Sequence, residues 1–249
     1  MTDISASARY HSLPQKHAVI LLGSILVVAM CGIVYELIIG TVSSYLLGNS
    51  VYQFSLTIGF FMFAMGVGSY VSRFLEGNLI QWFIRIEIIL AIVGGLCSIS
   101  LFMLFPFAPW LYQVGKFAFI SSIGFLVGLE IPILTRVLSE RSTTRESIAD
   151  VLSLDYIGAL AGSVLFPILL LPSLGLITAS FAIGLTNAAV ALISVLWLRE
   201  HLDAPKRMLA YVGATIFALF ALTLLASRIT AFAQDHLYFD QIVWRTQSQ

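Results

Sequence analysis

Glu36 and Glu130 each stand inside a long apolar run, and each opens the frame Glu-x-x-Ile-x-Thr with Gly-Ser 32 to 33 residues later. Glu36, Ile39, Thr41, Gly68 and Ser69 recur 94 positions on as Glu130, Ile133, Thr135, Gly162 and Ser163. A carboxylate in hydrocarbon is costly unless it faces protein, finds a partner or takes up a proton. Glu87 and Asp155 raise the same question. Pro132 follows Glu130 and cannot donate to the Gly128 carbonyl, so an acceptor is freed beside an acid, a pairing suited to a cation, an amine or a proton. Tyr35, Tyr45, Tyr52, Tyr70 and Tyr156 flank these acids, and an aromatic face beside a carboxylate suits an organic cation. The substrate- or cation-binding candidates are therefore Glu36, Glu130, Tyr35, Glu87 and Asp155. Against this stand plainer roles. Glutamates hydrogen-bond between helices, Glu36 lies close enough to its helix end to snorkel, and tyrosines near helix ends form an interfacial belt. For Glu87 and Asp155 the structural role is the favoured one.

No hydrolytic triad, zinc-ligand pair, acidic metal-binding run or phosphate-cradling glycine loop accompanies these residues, so neither a catalytic residue nor a metal site is expected. His11, His17, His201 and His236 fall in flanks or loops, and Cys31 and Cys97 lie in apolar stretches, where a free cysteine behaves as a small hydrophobe. Gly66, Gly68, Gly158 and Gly162 recur at small-residue spacing, which argues close helix contact.

The elements that must position the acids follow from hydropathy. The 249 residues are 59% hydrophobic and 10% charged, with a mean hydropathy of +0.97, which excludes a water-soluble globular domain. Seven stretches, near 17–40, 51–74, 82–106, 112–137, 152–172, 176–198 and 208–229, reach the roughly 20 apolar residues that a bilayer core requires. Backbone groups in lipid must be satisfied within the segment, so the expected fold class is all-α, a polytopic membrane bundle of about seven helices. Ser50 with Gln53 and Thr143 with Glu146 read as capping boxes, and Pro172 with Gly175 reads as a tight turn before the sixth span. The first apolar run reads as a retained helix and not a signal peptide.

Net charge is zero, yet alternating loops gather Arg9, Lys16, Arg73, Arg136, Arg141, Arg145, Arg199, Lys206 and Arg207 on one side. The other side has Lys116, Arg228 and Arg245. The positive-inside rule then places the N-terminus in the cytoplasm. A 94-residue period holds three helices, and an odd number inverts the second copy, so an inverted three-helix repeat is expected. The domains read as a polar flank 1–16 and a bundle 17–229, with repeat 1 about 17–106, repeat 2 about 112–198 and an extra helix 208–229. A linker 230–249 follows. Glu36 and Glu130 would then sit toward opposite faces, as two gates or two symmetric helix locks and not one shared pair.

Gly32-Ile-Val-Tyr-Glu36-Leu, Leu47-Gly-Asn-Ser-Val-Tyr52 and Phe63-Ala-Met-Gly-Val-Gly-Ser69, taken with Gly128-Leu-Glu130-Ile-Pro and Asp155-Tyr-Ile-Gly-Ala-Leu-Ala-Gly-Ser163, carry a family likeness. Over roughly residues 17 to 198 the chain resembles the N-terminal multi-pass membrane domain of bacterial membrane-bound spermidine synthase-like proteins, the polyamine aminopropyltransferases. Asp240-Gln-Ile-Val-Trp-Arg-Thr-Gln-Ser-Gln249 resembles the opening strand of their soluble synthase domain. The resemblance implies a bacterial inner-membrane location, a C-terminal synthase domain beyond residue 249, putrescine or spermidine as polyamine, and decarboxylated S-adenosylmethionine as co-substrate of that domain, with no cofactor in this chain. It carries no active-site residue onto these positions. The expected partners are the lipid bilayer, a polyamine and the synthase domain, with a second copy of the chain as a further candidate and no nucleic acid. The expected function is to anchor an aminopropyltransferase and to conduct its amine; the alternative is a self-contained polyamine or cation transporter using the intramembrane glutamates.

Overall fold

A computed structural model describes residues 15–139 and 143–237. Among them every regular element is helical: α1 (Gln15–Leu47), α2 (Ser50–Ser72), α3 (Leu79–Phe107), α4 (Pro109–Leu138), α5 (Thr144–Leu165), a π turn (Phe166–Leu170), α6 (Leu171–Trp197), a 3-10 turn (Arg199–His201) and α7 (Pro205–Leu237). Six helical stretches are long and apolar enough to cross a membrane, one of them running from Thr144 to Trp197. At 1.5 Å per residue a straight 54-residue helix would be roughly 80 Å long, far beyond a bilayer core.

Packing shows where that stretch reverses. The Phe54 ring lies against Gly40, and Gly115 lies against Leu101 and Leu104, so α2 is antiparallel to α1 and α4 to α3. Gly124 and Gly128 of α4 sit on the Phe61 and Met65 carbonyls of α2, and Gly158 and Gly162 of α5 sit on the Leu26 and Met30 carbonyls of α1. Each of those pairs is parallel. Ser180 meets Gly94 and Gly95, and Gly184 meets Ala91, so α6 is antiparallel to α3. Hence α5 and α6 run in opposite directions, and the chain turns between them at Gly175, whose φ of 70° and ψ of 177° leave the helix. That backbone region is essentially restricted to glycine. Gly175→Ala should therefore destabilise the bundle by about 1–3 kcal/mol, read as a lower thermal midpoint in detergent. An unchanged midpoint would mean that the turn relaxes without cost.

The helices begin and end largely as the sequence indicates, with one different cap. Thr143 and Glu146 form the capping box, each side chain accepting the other's backbone N–H. At α2 the cap is Asn49 and not Ser50: Asn49 is left-handed and its Oδ1 accepts from the Tyr52 N–H, while Ser50 takes the hydroxyl of Ser44. An asparagine tolerates that conformation better than serine does, so the capping oxygen moves one residue upstream.

The repeated frame has the same local use twice. The Thr41 hydroxyl donates to the Leu37 carbonyl at 2.7 Å and that of Thr135 to the Ile131 carbonyl at 2.8 Å. Ile39 and Ile133 are fully buried. Gly68 packs against Phe125 and Gly128, and Gly162 against Met30 and Ile33, so each glycine of the frame closes its helix onto the glutamate-bearing helix of the other half. Ser69 and Ser163 stay exposed on the perimeter.

One end of the bundle collects positive charge. There Arg136 donates to the Ser72 and Leu75 carbonyls, both at 3.0 Å, Asn78 donates to the His201 carbonyl, and the His17 ring stands edge-on to His201. Arg73, Arg145, Arg199, Lys206 and Arg207 lie at helix ends on the same side. Lys116, expected near a loop, is instead wholly buried in α4 and donates to Gln53 Oε1 at 2.7 Å. Its long stem lets a helix position look outward in sequence while the ammonium turns inward to a polar partner. Arg9, Arg141, Arg245 and the Asp240–Gln249 strand fall outside the described residues.

Candidate functional site

Four of the five candidate residues converge, and Glu36 does not. Glu130 comes from α4, Glu87 from α3, Tyr35 from α1 and Asp155 from α5. Val127 of α4 packs on Gly32 of α1, Glu130 and Asp155 line one cavity with residues of α1, and Glu87 of α3 meets Glu130, so α1, α3, α4 and α5 bound one region. Glu87 is 0% exposed and Glu130 2%. Their carboxyls face each other at hydrogen-bonding range, and no N–H or O–H of another described residue reaches any of the four oxygens.

Tyr35 is buried where α1 meets α3, its ring covering Gly94 two turns along α3 from Glu87, and its hydroxyl also has no partner among the described residues. It is therefore not an interfacial tyrosine. Tyr45, Tyr52, Tyr70 and Tyr156 are exposed on the perimeter, where a belt would lie. Asp155 is half-buried and near enough for its charge to act on Glu130. Glu130 and Asp155 together line a cavity of about 10 Å³ with Ile25, Val28, Ala29, Val127, Ile131 and Leu134. That is close to the minimum that holds one water.

Glu36 is buried with no charged group among the described residues acting on it, on the same helix as Tyr35 but one residue on, hence about 100° around the axis. The residue that joins Glu130 is thus Glu87, from the third helix and without a counterpart in the repeat. Arg85 is two residues from Glu87, too close to face it on one helix, so the sequence has each pairing with another helix. Arg85 lies over the Trp82 ring of its own helix, and Glu87 meets Glu130 of α4.

Two facing carboxyls can hydrogen-bond only when at least one carries a proton. When both are ionised they repel strongly in a medium of low effective dielectric, and a cation between them relieves the repulsion. The arrangement can therefore exchange a proton for a small cation or an ammonium group. The Tyr35 ring and hydroxyl add an aromatic face and an acceptor two turns farther along α3.

Sequence reasoning did not single out Asn187, Ser98 or Ser194, all fully or almost fully buried with no partner among the described residues. The available signal was the seven-residue spacing from Asn187 to Ser194, which puts polar side chains on one face of an otherwise apolar helix.

No family-level sequence profile and no solved structure matches the chain. Individual relatives do. The chain is 43% identical over 229 residues to a polyamine aminopropyltransferase of Leptospira interrogans, covering 91% of this chain and 45% of that protein. It is 38% identical to polyamine aminopropyltransferase 2 of Ralstonia nicotianae, over 88% of this chain and 44% of the relative. To polyamine aminopropyltransferase 1 of Streptomyces coelicolor it is 35% identical, over 92% and 44%. The chain spans somewhat less than half the length of these relatives. Along nine-tenths of itself, then, this all-helical bundle of membrane-length helices is similar to a part of each of these larger polyamine aminopropyltransferases.

Proposed function

We propose that this chain is the membrane part of a polyamine aminopropyltransferase, and that its interior carboxyl pair binds an amine cation. In the whole protein a synthase domain would transfer the aminopropyl group of decarboxylated S-adenosylmethionine to putrescine or a like amine, while this bundle anchors it and hands over substrate or product. The observation that carries the reading is the facing pair of Glu87 and Glu130, buried and without other hydrogen-bond donors among the described residues. Asp155 adds negative charge on the α5 side, and Tyr35 adds an aromatic wall. The gathering of basic residues at one end supports a cytoplasmic N-terminus in a bacterial inner membrane.

Calorimetric titration of spermidine into the chain in nanodiscs tests this. Glu87→Gln and Glu130→Gln should each weaken binding by at least about tenfold, roughly 1.4 kcal/mol, while Glu36→Gln leaves it unchanged. Absence of binding to the unaltered chain, or equal affinity in the Glu87 and Glu130 variants, would sink the proposal.

Transport of the amine is a second reading, favoured by the two-fold character of the packing, in which α1 with α5 mirrors α4 with α2. Spermidine uptake into proteoliposomes that Glu130→Gln abolishes would support it; binding without uptake would leave a static site.

A further inference from the structure

The carboxyl pair does not lie alone. Asn187 and Ser194 on α6 have buried polar atoms without partners among the described residues, and so do the Nδ1 atoms of His17 and His201 at the basic end. Asn187 and Ser194 are two turns apart on one side of α6, and His201 lies in the 3-10 turn that follows it. That side packs on α3. The register set by Ser180 on Gly94 and Gly95, and by Gly184 on Ala91, brings Asn187 level with Glu87 and Ser194 level with Ile80 and Gln81. Gln81 in turn accepts from the Asp203 N–H, next to the His17–His201 contact.

A buried donor or acceptor left unsatisfied is costly, and ordered water is the usual remedy where several such atoms line one route. The geometry points to a hydrated path along the α3–α6 seam that carries protons between the Glu87–Glu130 pair and the basic end of the bundle. In the transfer, the carboxyl O–H bond breaks and its proton passes to the nearest water. It is then relayed past Asn187 and Ser194 and reaches solvent beside His17 and His201, leaving a carboxylate behind. The path stands whether or not an amine occupies the carboxyl pair. If one does, the proton displaced by the ammonium group leaves by this route while the amine uses the Asp155 side.

Infrared spectroscopy of the full chain in nanodiscs after transfer to D2O tests this. The C=O band of a protonated carboxyl, assigned by its loss in Glu130→Gln, should shift within the mixing time. The combined change Asn187→Leu and Ser194→Ala should slow that shift at least about tenfold, while Asn187→Ser with Ser194→Thr should keep it fast. A wild-type band that fails to exchange, no such band at all, or unslowed exchange in the blocked variant would overturn the path. The wild-type measurement decides even if the blocked variant fails to fold, and none of the arms depends on spermidine binding.

Discussion

Gly128→Ala is expected to lose the native bundle, or to lower its stability by about 3 kcal/mol or more. A Cβ at Gly128 would lie deep inside the contact distance of the Met65 backbone, and backbone cannot rotate away as a side chain does. Helices α2 and α4 would have to separate, and the opposing Gly68 contact with Phe125 and Gly128 would open with them. In lipid, apolar surface supplies no hydrophobic drive to bring helices together again, because tails are as apolar as side chains; close packing is what holds them. Thermal unfolding in detergent measures the effect. Gly158→Ala should match it, since its Cβ would meet the Leu26 carbonyl, whereas Gly213→Ala on α7 meets nothing within 4 Å. That control should gain up to about 1 kcal/mol from helix propensity. Equal midpoints for Gly128→Ala and Gly213→Ala would show that the glycine contacts are not what fixes the helix spacing.

Glu87→Met combined with Glu130→Met is expected to raise stability by about 1–4 kcal/mol while abolishing spermidine binding. The four carboxyl oxygens receive no hydrogen bond from other described residues, so the fold carries their desolvation with little return. Methionine is close in volume and flexible, so the site should repack without a large void, unlike alanine. Such a gain at the expense of function is the common signature of a polar site held inside an apolar core. Midpoint and calorimetric titration on the same preparation give both readouts. A substantial drop in stability would instead mark the pair as a lock between α3 and α4 and weaken its assignment as a binding site.

Much of the fold was legible because lipid imposes a simple rule. Uninterrupted apolar length predicts helices, and the Thr143–Glu146 box and the glycine spacing predict where they start and touch. The 94-residue frame also predicted that Gly68 and Gly162 would be used alike, and each closes on the opposite half. The exchange of Ser50 for Asn49 as a cap was not legible, because it turns on one left-handed backbone conformation.

The site was only half legible. By itself the sequence determined that acids stand within membrane-length apolar runs, where burial against protein is the alternative to snorkelling. It also determined which two acids share a motif. Only the tertiary structure decided which acids meet. Glu130 faces Glu87 and not its repeat partner Glu36, and the orphaned polar line from Asn187 to His201 emerges only once α6 lies antiparallel on α3. The physical reason is that periodicity fixes the face of a residue on its own helix, whereas the neighbour across that face depends on the depth and direction of a second helix. Those are set by contacts such as Gly128 on Met65 and Ser180 on Gly94, between residues far apart in the chain.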